Sequence, residues 1–219
     1  MSEVQKVIAI DGPSASGKGT IASRVAGILG FDYLDSGALY RLTALYAQKQ
    51  QVEWTDEAAV ARLAEHLPVQ FDGQTILLAG ENVSEQIRSE AIGMGASAVA
   101  QLPLVRAALL QRQRDFLTEK GLVADGRDIG SVIFPDARLK IFLTASAQVR
   151  AERRAKQIGL PCEGVEFERI LSDIEARDEA DRRRAVAPLQ QLPDAMLLDT
   201  TELTIEETVK KVLDWYSKV

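Results

Sequence analysis

Apolar residues run unbroken through Val7-Ile8-Ala9-Ile10, without the alternation of a half-solvated strand. Such a run predicts a strand buried on both faces, as in a parallel sheet. Small and polar residues then take over from Asp11 to Thr20. Ile21, Val25, Ile28 and Leu29 follow at helical spacing, and Gly30 is placed to end that helix. Phe31-Asp32-Tyr33-Leu34-Asp35 predicts a second short strand, followed by a helix from Ser36-Gly37 to about Gln48. Trp54-Thr55-Asp56-Glu57 predicts another helix start, with Thr55 as its cap and Pro68 closing it.

Past Pro68 the pattern changes. Val69-Gln70-Phe71, an Asp72-Gly73 turn and Thr75-Ile76-Leu77-Leu78 predict a β-hairpin. With Glu81-Asn82-Val83 and a helical stretch from Ser89 to Gln101, it forms an insertion over about 66–102. Pro103 opens a long helix that Gly121 is expected to end. Leu122-Val123-Ala124-Asp125 and Leu139-Lys140-Ile141-Phe142-Leu143 predict two more core strands. Helix follows from Ser146, breaks near Gly159-Leu160-Pro161 and resumes from Val165 to Arg183. Met196-Leu197-Leu198-Asp199 is a last strand, and Thr204-Ile205-Glu206-Glu207 is a capping box for the final helix. Five apolar strands interleaved with helices predict an α/β domain with a parallel, doubly wound sheet, a single domain over 1–219.

Composition narrows the function classes. No apolar run is long enough to span a bilayer. The opening Met1-Ser2-Glu3-Val4-Gln5-Lys6 leads straight into the first strand, so no signal peptide is expected. One cysteine, Cys162, makes an internal disulfide impossible and suits a reducing compartment, so the expected location is cytoplasmic. A formal charge of −6 argues against a general nucleic-acid binder. Arginines nevertheless crowd the segment from Arg150 to Arg184, which suggests a small anionic ligand.

The candidate chemistry begins with Gly12-x4-Gly17-Lys18. Between a strand and a helix this is the phosphate-binding loop, in which glycines let backbone N–H groups converge on phosphate oxygens. Gly12, Pro13, Ser14, Ala15, Ser16, Gly17, Lys18, Gly19 and Thr20 are therefore the candidate ATP-binding residues, with Lys18 bridging the β- and γ-phosphates. The residue after the lysine is Gly19, and the hydroxyl comes one place later, at Thr20. Mg²⁺ is then expected to be held largely by phosphates and waters, with Thr20 or Asp125 as possible protein contacts.

Two other polar clusters lie at predicted strand ends, where ligands gather in such sheets. They are Asp35-Ser36-Gly37-x2-Tyr40-Arg41 and Asp125-Gly126-Arg127-Asp128. Asp125 fits a metal-holding acid, though Asp-Gly is also a common turn dipeptide. Arg127 reads as a phosphate clamp. Arg177, Asp181 and Arg184 share one helix face and could meet a phosphate and a sugar hydroxyl. The pairs Asp178 with Arg182 and Glu179 with Arg183 fit a solvated, salt-bridged helix equally well. Arg150, Arg153 and Arg154 stand in the same balance, before a break that could hinge a lid. His66 reads as a helix C-terminal residue, and Cys162 as a passenger.

Taken together these motifs resemble the bacterial-type cytidylate kinases, within the nucleoside monophosphate kinases. The resemblance rests on Ile10 to Thr20, Leu34-Asp35-Ser36-Gly37-Ala38-Leu39-Tyr40-Arg41, Ala124-Asp125-Gly126-Arg127-Asp128-Ile129-Gly130, Val132 to Ala137, and Arg184-Ala185-Val186-Ala187-Pro188-Leu189. It implies ATP-dependent phosphorylation of CMP and dCMP to CDP and dCDP by direct in-line transfer, with Mg²⁺, in a monomer free of nucleic acid and membrane. It also implies that Arg41, Arg127 and Arg184 hold the CMP phosphate, and that Ser97, Arg106 and Asp128 read the cytosine edge, with Ser36 near them. Arg177 and Asp181 would contact the sugar, and Arg153 and Arg154 would sit on a lid over about 150–170. Lys18, Arg127, Arg153, Arg154 and Asp125 form the implied catalytic set, and 66–102 the acceptor-binding insertion. UMP, AMP or another small phosphate acceptor is the alternative within the kinase class. A regulatory GTPase would need an Asn-Lys-x-Asp motif, and the one asparagine, Asn82, precedes Val83. A nucleotide-binding module without turnover is a third reading.

Overall fold

The computed structural model describes residues 5–72 and 75–219. In chain order the elements are β1 (Gln5–Asp11), α1 (Lys18–Leu29), β2 (Asp32–Asp35), α2 (Ser36–Lys49), α3 (Glu57–Glu65), β3 (Val69–Asp72), β4 (Thr75–Leu78) and β5 (Glu81–Asn82). There follow α4 (Glu90–Val99), α5 (Pro103–Arg114), β6 (Leu122–Gly126), β7 (Ala137–Thr144), α6 (Ala147–Ile158), α7 (Val165–Arg182), β8 (Met196–Asp199) and α8 (Ile205–Tyr216). The chain divides into two compact units. One takes the chain up to Leu34 and again from Phe116 to Val219, and the other is Asp35–Asp115. The 66–102 segment lies within the second.

The first unit carries a five-stranded parallel sheet in the order β2-β6-β1-β7-β8, as the unbroken apolar runs require. β1 is central because its residues Val7 to Ile10 are fully buried and can be covered only between two neighbours. Its register sets Ile10 abreast of Asp125 and Asp11 abreast of Gly126. The chain leaves β1 toward one side for β2 and β6, then crosses to the other for β7 and β8. The reversal at β1 creates a crevice beyond the strand ends, where loops gather. Ile8, Ile10 and Val123 pack with Leu139, Ile141 and Leu143, and α1 and α8 supply Ile21, Val25, Val209 and Val212. Ala151, Ala155, Phe167 and Ile174 form a separate core between α6 and α7.

The second unit packs Leu42 and Leu45 of α2 with Leu67, Leu78, Val83, Ile87 and Ile92, and holds an antiparallel sheet β3-β4-β5. The hairpin forms as expected, with Val69 opposite Leu78, although residue 73 of its Asp72-Gly73 turn lies outside the described residues. So do residues 1–4, on which the opening of the chain was read.

Two expectations are corrected. Asp56, not Thr55, caps α3, because its carboxylate reaches the Ala59 N–H at 3.0 Å. α5 stops at Arg114 rather than near Gly121. Asp115 ends it, and Gly121 instead closes a short turn with Thr118 before β6. Residues Ile129–Ile133, between β6 and β7, wind into a single wide helical turn. The capping box on Thr204 and Glu207 forms as read, and His66 ends α3.

Candidate active site

The loop after β1 is shaped by contacts that only glycine permits. A Cβ on Gly12 would sit 2.0 Å from the Leu143 carbonyl oxygen of β7. Gly17, at φ +92°, turns the chain into α1. The N–H groups of α1's first turn therefore face the loop, as an anion requires. Lys18 opens the helix and is 6% exposed. Its ammonium donates to the Pro13 carbonyl at 2.7 Å and to Ser16 Oγ at 3.4 Å. Burial, and then the charge of Arg127, push its pKa below the lysine range, while Asp125, Asp11 and Asp181 pull it back.

Two carboxylates close the strand ends beside it. Asp125, next to last in β6, is buried and accepts a hydrogen bond from the Tyr33 hydroxyl at 2.8 Å. Asp11 accepts from the backbone N–H groups of Ile129 and Gly130, each at 2.8 Å, and so ties β1 to the turn carrying Arg127 and Asp128. Burial raises its pKa to about 6, outweighing those two hydrogen bonds. Asp128, 3% exposed, leads into that turn.

The arginine-rich helices resolve into two faces. Arg127 donates through Nε to Asp181 Oδ2 at 2.6 Å, and Asp181 Oδ1 accepts from Arg184. Burial works against the Arg127 charge, yet Asp181 raises its pKa above the usual value. Arg177 is half-buried on the same helix but forms no ion pair in this cluster among the described residues. Of the two pairs that a solvated helix would show, Asp178–Arg182 does not form among the described residues. Asp178 turns inward to Arg150 at 2.6 Å, with both side chains about 5% exposed or less, and also accepts from Ser14 Oγ at 3.3 Å. Glu179 and Arg183 do pair, at 2.5 Å, on the solvent side.

Arg153 donates to the Ser16 carbonyl at 3.1 Å and to the Thr200 carbonyl at 2.8 Å, and Arg154 to Gln157 at 3.1 Å. Both line a cavity of about 500 Å³ with Ala15, Gly17, Thr20 and Leu203. The donor-set chemistry for a metal is spare. Among the described residues no three His, Cys, Asp or Glu side chains cluster. A lone strand-end carboxylate suits Mg²⁺ arriving with a nucleotide, which keeps waters and phosphate oxygens as its other ligands.

In the second unit, Asp35 caps α2 through the Ala38 N–H at 2.9 Å and pairs with Arg41 at 2.6 Å. The Arg41 Nε is buried and meets no hydrogen-bond acceptor among the described residues. Ser36 is buried in the first turn of α2. Arg106 lies over the Tyr40 ring, 5.8 Å from its centroid, and donates to the Ala100 carbonyl at 3.2 Å. The Ser97 hydroxyl on α4 donates to the Gly93 carbonyl at 3.1 Å.

Sequence reasoning passed over Asp11, Tyr33, the Arg150–Asp178 pair and Thr200. Thr200 follows a strand end and was open to the same topological argument as Asp125. Arg150 and Asp178 sit on different helices, so no spacing signals them.

Residues 8–218 match the family model described as cytidylate kinase. A cytidylate kinase of Neisseria meningitidis is 78% identical over 215 residues, covering 98% of this chain and 99% of the relative. One from Chromobacterium violaceum is 59% identical over 212 residues, covering 97% and 96%. Among solved structures, an uncharacterized protein from Eubacterium ventriosum superposes with a TM-score of 0.55 at 10% identity, covering 98% of this chain and all of that one, a likeness of fold alone.

Proposed function

Since the chain belongs to the cytidylate kinase family, we propose that it transfers the γ-phosphoryl group of ATP in line to CMP and dCMP, giving CDP and dCDP in pyrimidine nucleotide metabolism. The observation that carries this reading is that Lys18 and Arg127 follow the adjacent strands β1 and β6, whose ends Asp11 ties together through the Ile129 and Gly130 N–H groups. A donor-phosphate ammonium and an acceptor-side guanidinium thus share one neighbourhood.

Phosphoryl transfer spreads negative charge over the transferring oxygens, so catalysis is largely positioning and positive charge. Lys18 and the loop N–H groups hold the β- and γ-phosphates. Arg153 and Arg154 belong to a lid over about 150–170, and the cavity they line takes the rest of ATP. Asp125 or Thr20 would meet Mg²⁺ arriving with the phosphates and its waters, and the ion would supply charge neutralisation there. Arg127 and Arg184, oriented by Asp181, take the acceptor phosphate, and Arg177 and Asp181 its sugar. Asp128 reads the base. Family resemblance assigns Arg41 to the same phosphate and Ser97 and Arg106 to the base, with Ser36 near them, and makes about 66–102 the acceptor-binding insertion. The acceptor phosphate is already ionised near neutral pH, so no strong general base is needed. The protein is proposed to act as a cytoplasmic monomer.

An acceptor panel with ATP and Mg²⁺, read by ADP release, tests the reading. CMP and dCMP are expected to stimulate release far above UMP and AMP. ADP release that no nucleoside monophosphate stimulates overturns it.

A further inference from the structure

We infer that Tyr33 is a positioning residue for the metal–nucleotide complex, and that its hydroxyl stands in for the serine or threonine hydroxyl that ordinarily follows a phosphate-loop lysine. The inference rests on the proposed binding of Mg·ATP at the loop. In the usual arrangement the hydroxyl after the lysine reaches Mg²⁺. Here that residue is Gly19. A Cβ built on Gly19 would lie 3.3 Å from Tyr33 Oη and 3.9 Å from Asp125 Oδ1. Position 19 therefore faces the tyrosine–aspartate pair, and the space a serine side chain would enter is filled by the phenol arriving from β2. Thr20, the next hydroxyl in the chain, lines the cavity beneath Arg153 and Arg154.

The phenol is well placed to orient a carboxylate. Its oxygen is 2.8 Å from Asp125 Oδ1. The phenol O–H donates to the carboxyl oxygen, so the tyrosine sets the direction in which that group presents itself. That bond fixes the Asp125 carboxyl beside position 19, on the loop side of the strand end. The Tyr33 ring packs on the core of the parallel sheet, which fixes the hydroxyl's reach, and β2 lies directly beside β6 in the sheet. Glycine at 19 and tyrosine at 33 thus form one device: the first leaves the room that the second occupies. Hydrogen-bond partners of a metal-side carboxylate typically carry about ten- to a hundredfold in metal affinity.

The test is a double-mutant cycle on Tyr33→Phe, Gly19→Ser and their combination. ATP binding is measured by calorimetry with and without Mg²⁺, without acceptor, so that no turnover is involved. Tyr33→Phe keeps the ring packing and is expected to cut the gain in affinity that Mg²⁺ brings by roughly tenfold, leaving metal-free ATP affinity within about twofold. Gly19→Ser alone crowds the phenol and is expected to lose part of the same gain. In the double variant the phenol oxygen is gone and the serine hydroxyl takes its place, so the gain should return toward that of the wild type. An unchanged Mg²⁺ gain in Tyr33→Phe overturns the inference. Equal losses with and without metal, which a merely structural role would give, overturn it too, as does a double variant no better than the worse single one. If Mg²⁺ adds nothing to ATP affinity in the wild type, the loop reading itself fails and takes this inference with it.

Discussion

Arg127 gives its Nε–H to Asp181 across 2.6 Å, and the Asp181 side chain is 9% exposed. The same carboxylate takes a hydrogen bond from Arg184. Two guanidinium groups therefore converge on one carboxylate, which fixes their direction before any ligand arrives. Such preorganisation is the form in which charge contributes most to a transition state.

Arg127→Ala should lower turnover by on the order of a hundredfold or more, as should Lys18→Ala, by comparison with loss of a single transition-state donor. Arg127→Lys should not rescue, because an ammonium cannot hold Asp181 through one nitrogen while offering a planar fork to phosphate. Steady-state ADP release at saturating ATP and CMP measures this. Near-normal turnover in Arg127→Ala would remove that residue from the reaction.

Lys18 leads to a calorimetric prediction. Burial and Arg127 depress its pKa in the free protein. A bound triphosphate adds opposite charge and raises it again, so the lysine gains protons on binding. At pH 8 the Asp11 carboxyl, with its pKa of about 6, is already ionised and does not blur the signal. ATP binding at pH 8 should therefore take up protons, seen as a heat that varies with buffer ionisation enthalpy. Proton release, or heats independent of buffer, would contradict it.

Asp11 governs a stability profile of opposite sense to the usual carboxylate. Its folded pKa, about 6, lies above the unfolded value of 3.8. Between those values the folded state binds more protons than the unfolded one, so stability falls as pH rises. Its contribution is fully present below about pH 4 and is lost as the pH passes about 6, an amount on the order of 3 kcal/mol. Urea denaturation at pH 4.5 and pH 7 of the wild type and Asp11→Asn should show that this fall is largely absent from the variant. A fall of equal size in both would assign it to other groups.

Much of the first unit was legible because its determinants are local. Met196–Asp199 carries its own apolar run and Thr204 its own capping box, and both formed where the pattern put them. The phosphate loop was legible for the same reason. What escaped depends on distance in sequence. Asp178 could satisfy Arg182 one helical turn away, but it meets Arg150 because both side chains are withdrawn from water, where an unpaired charge costs more than a surface pair gains. The end of α5 escaped for a simpler reason. Gly121 was read as its terminator, yet the seven residues after Arg114 hold turns that no apolar period marks.

The loop's rigidity rests on Gly12, and two alanine substitutions separate its role from that of an ordinary glycine. At Gly12 the new Cβ would meet the Leu143 carbonyl oxygen at 2.0 Å. That oxygen belongs to β7, paired on one side with β1 and on the other with β8, so it cannot withdraw without breaking the sheet. Gly27, by contrast, is exposed within α1, and a Cβ there meets nothing within 4 Å. Gly27→Ala should stabilise the protein by about 0.5–1 kcal/mol, the helical cost of glycine. Gly12→Ala should destabilise it by more than about 4 kcal/mol, a large share of the ~5–15 kcal/mol that holds a domain together. Denaturant midpoints for the two variants should therefore move in opposite directions. A folded Gly12→Ala protein with a midpoint near that of the wild type would mean that the strand ends yield, and that the loop is not held as tightly as the Leu143 contact implies.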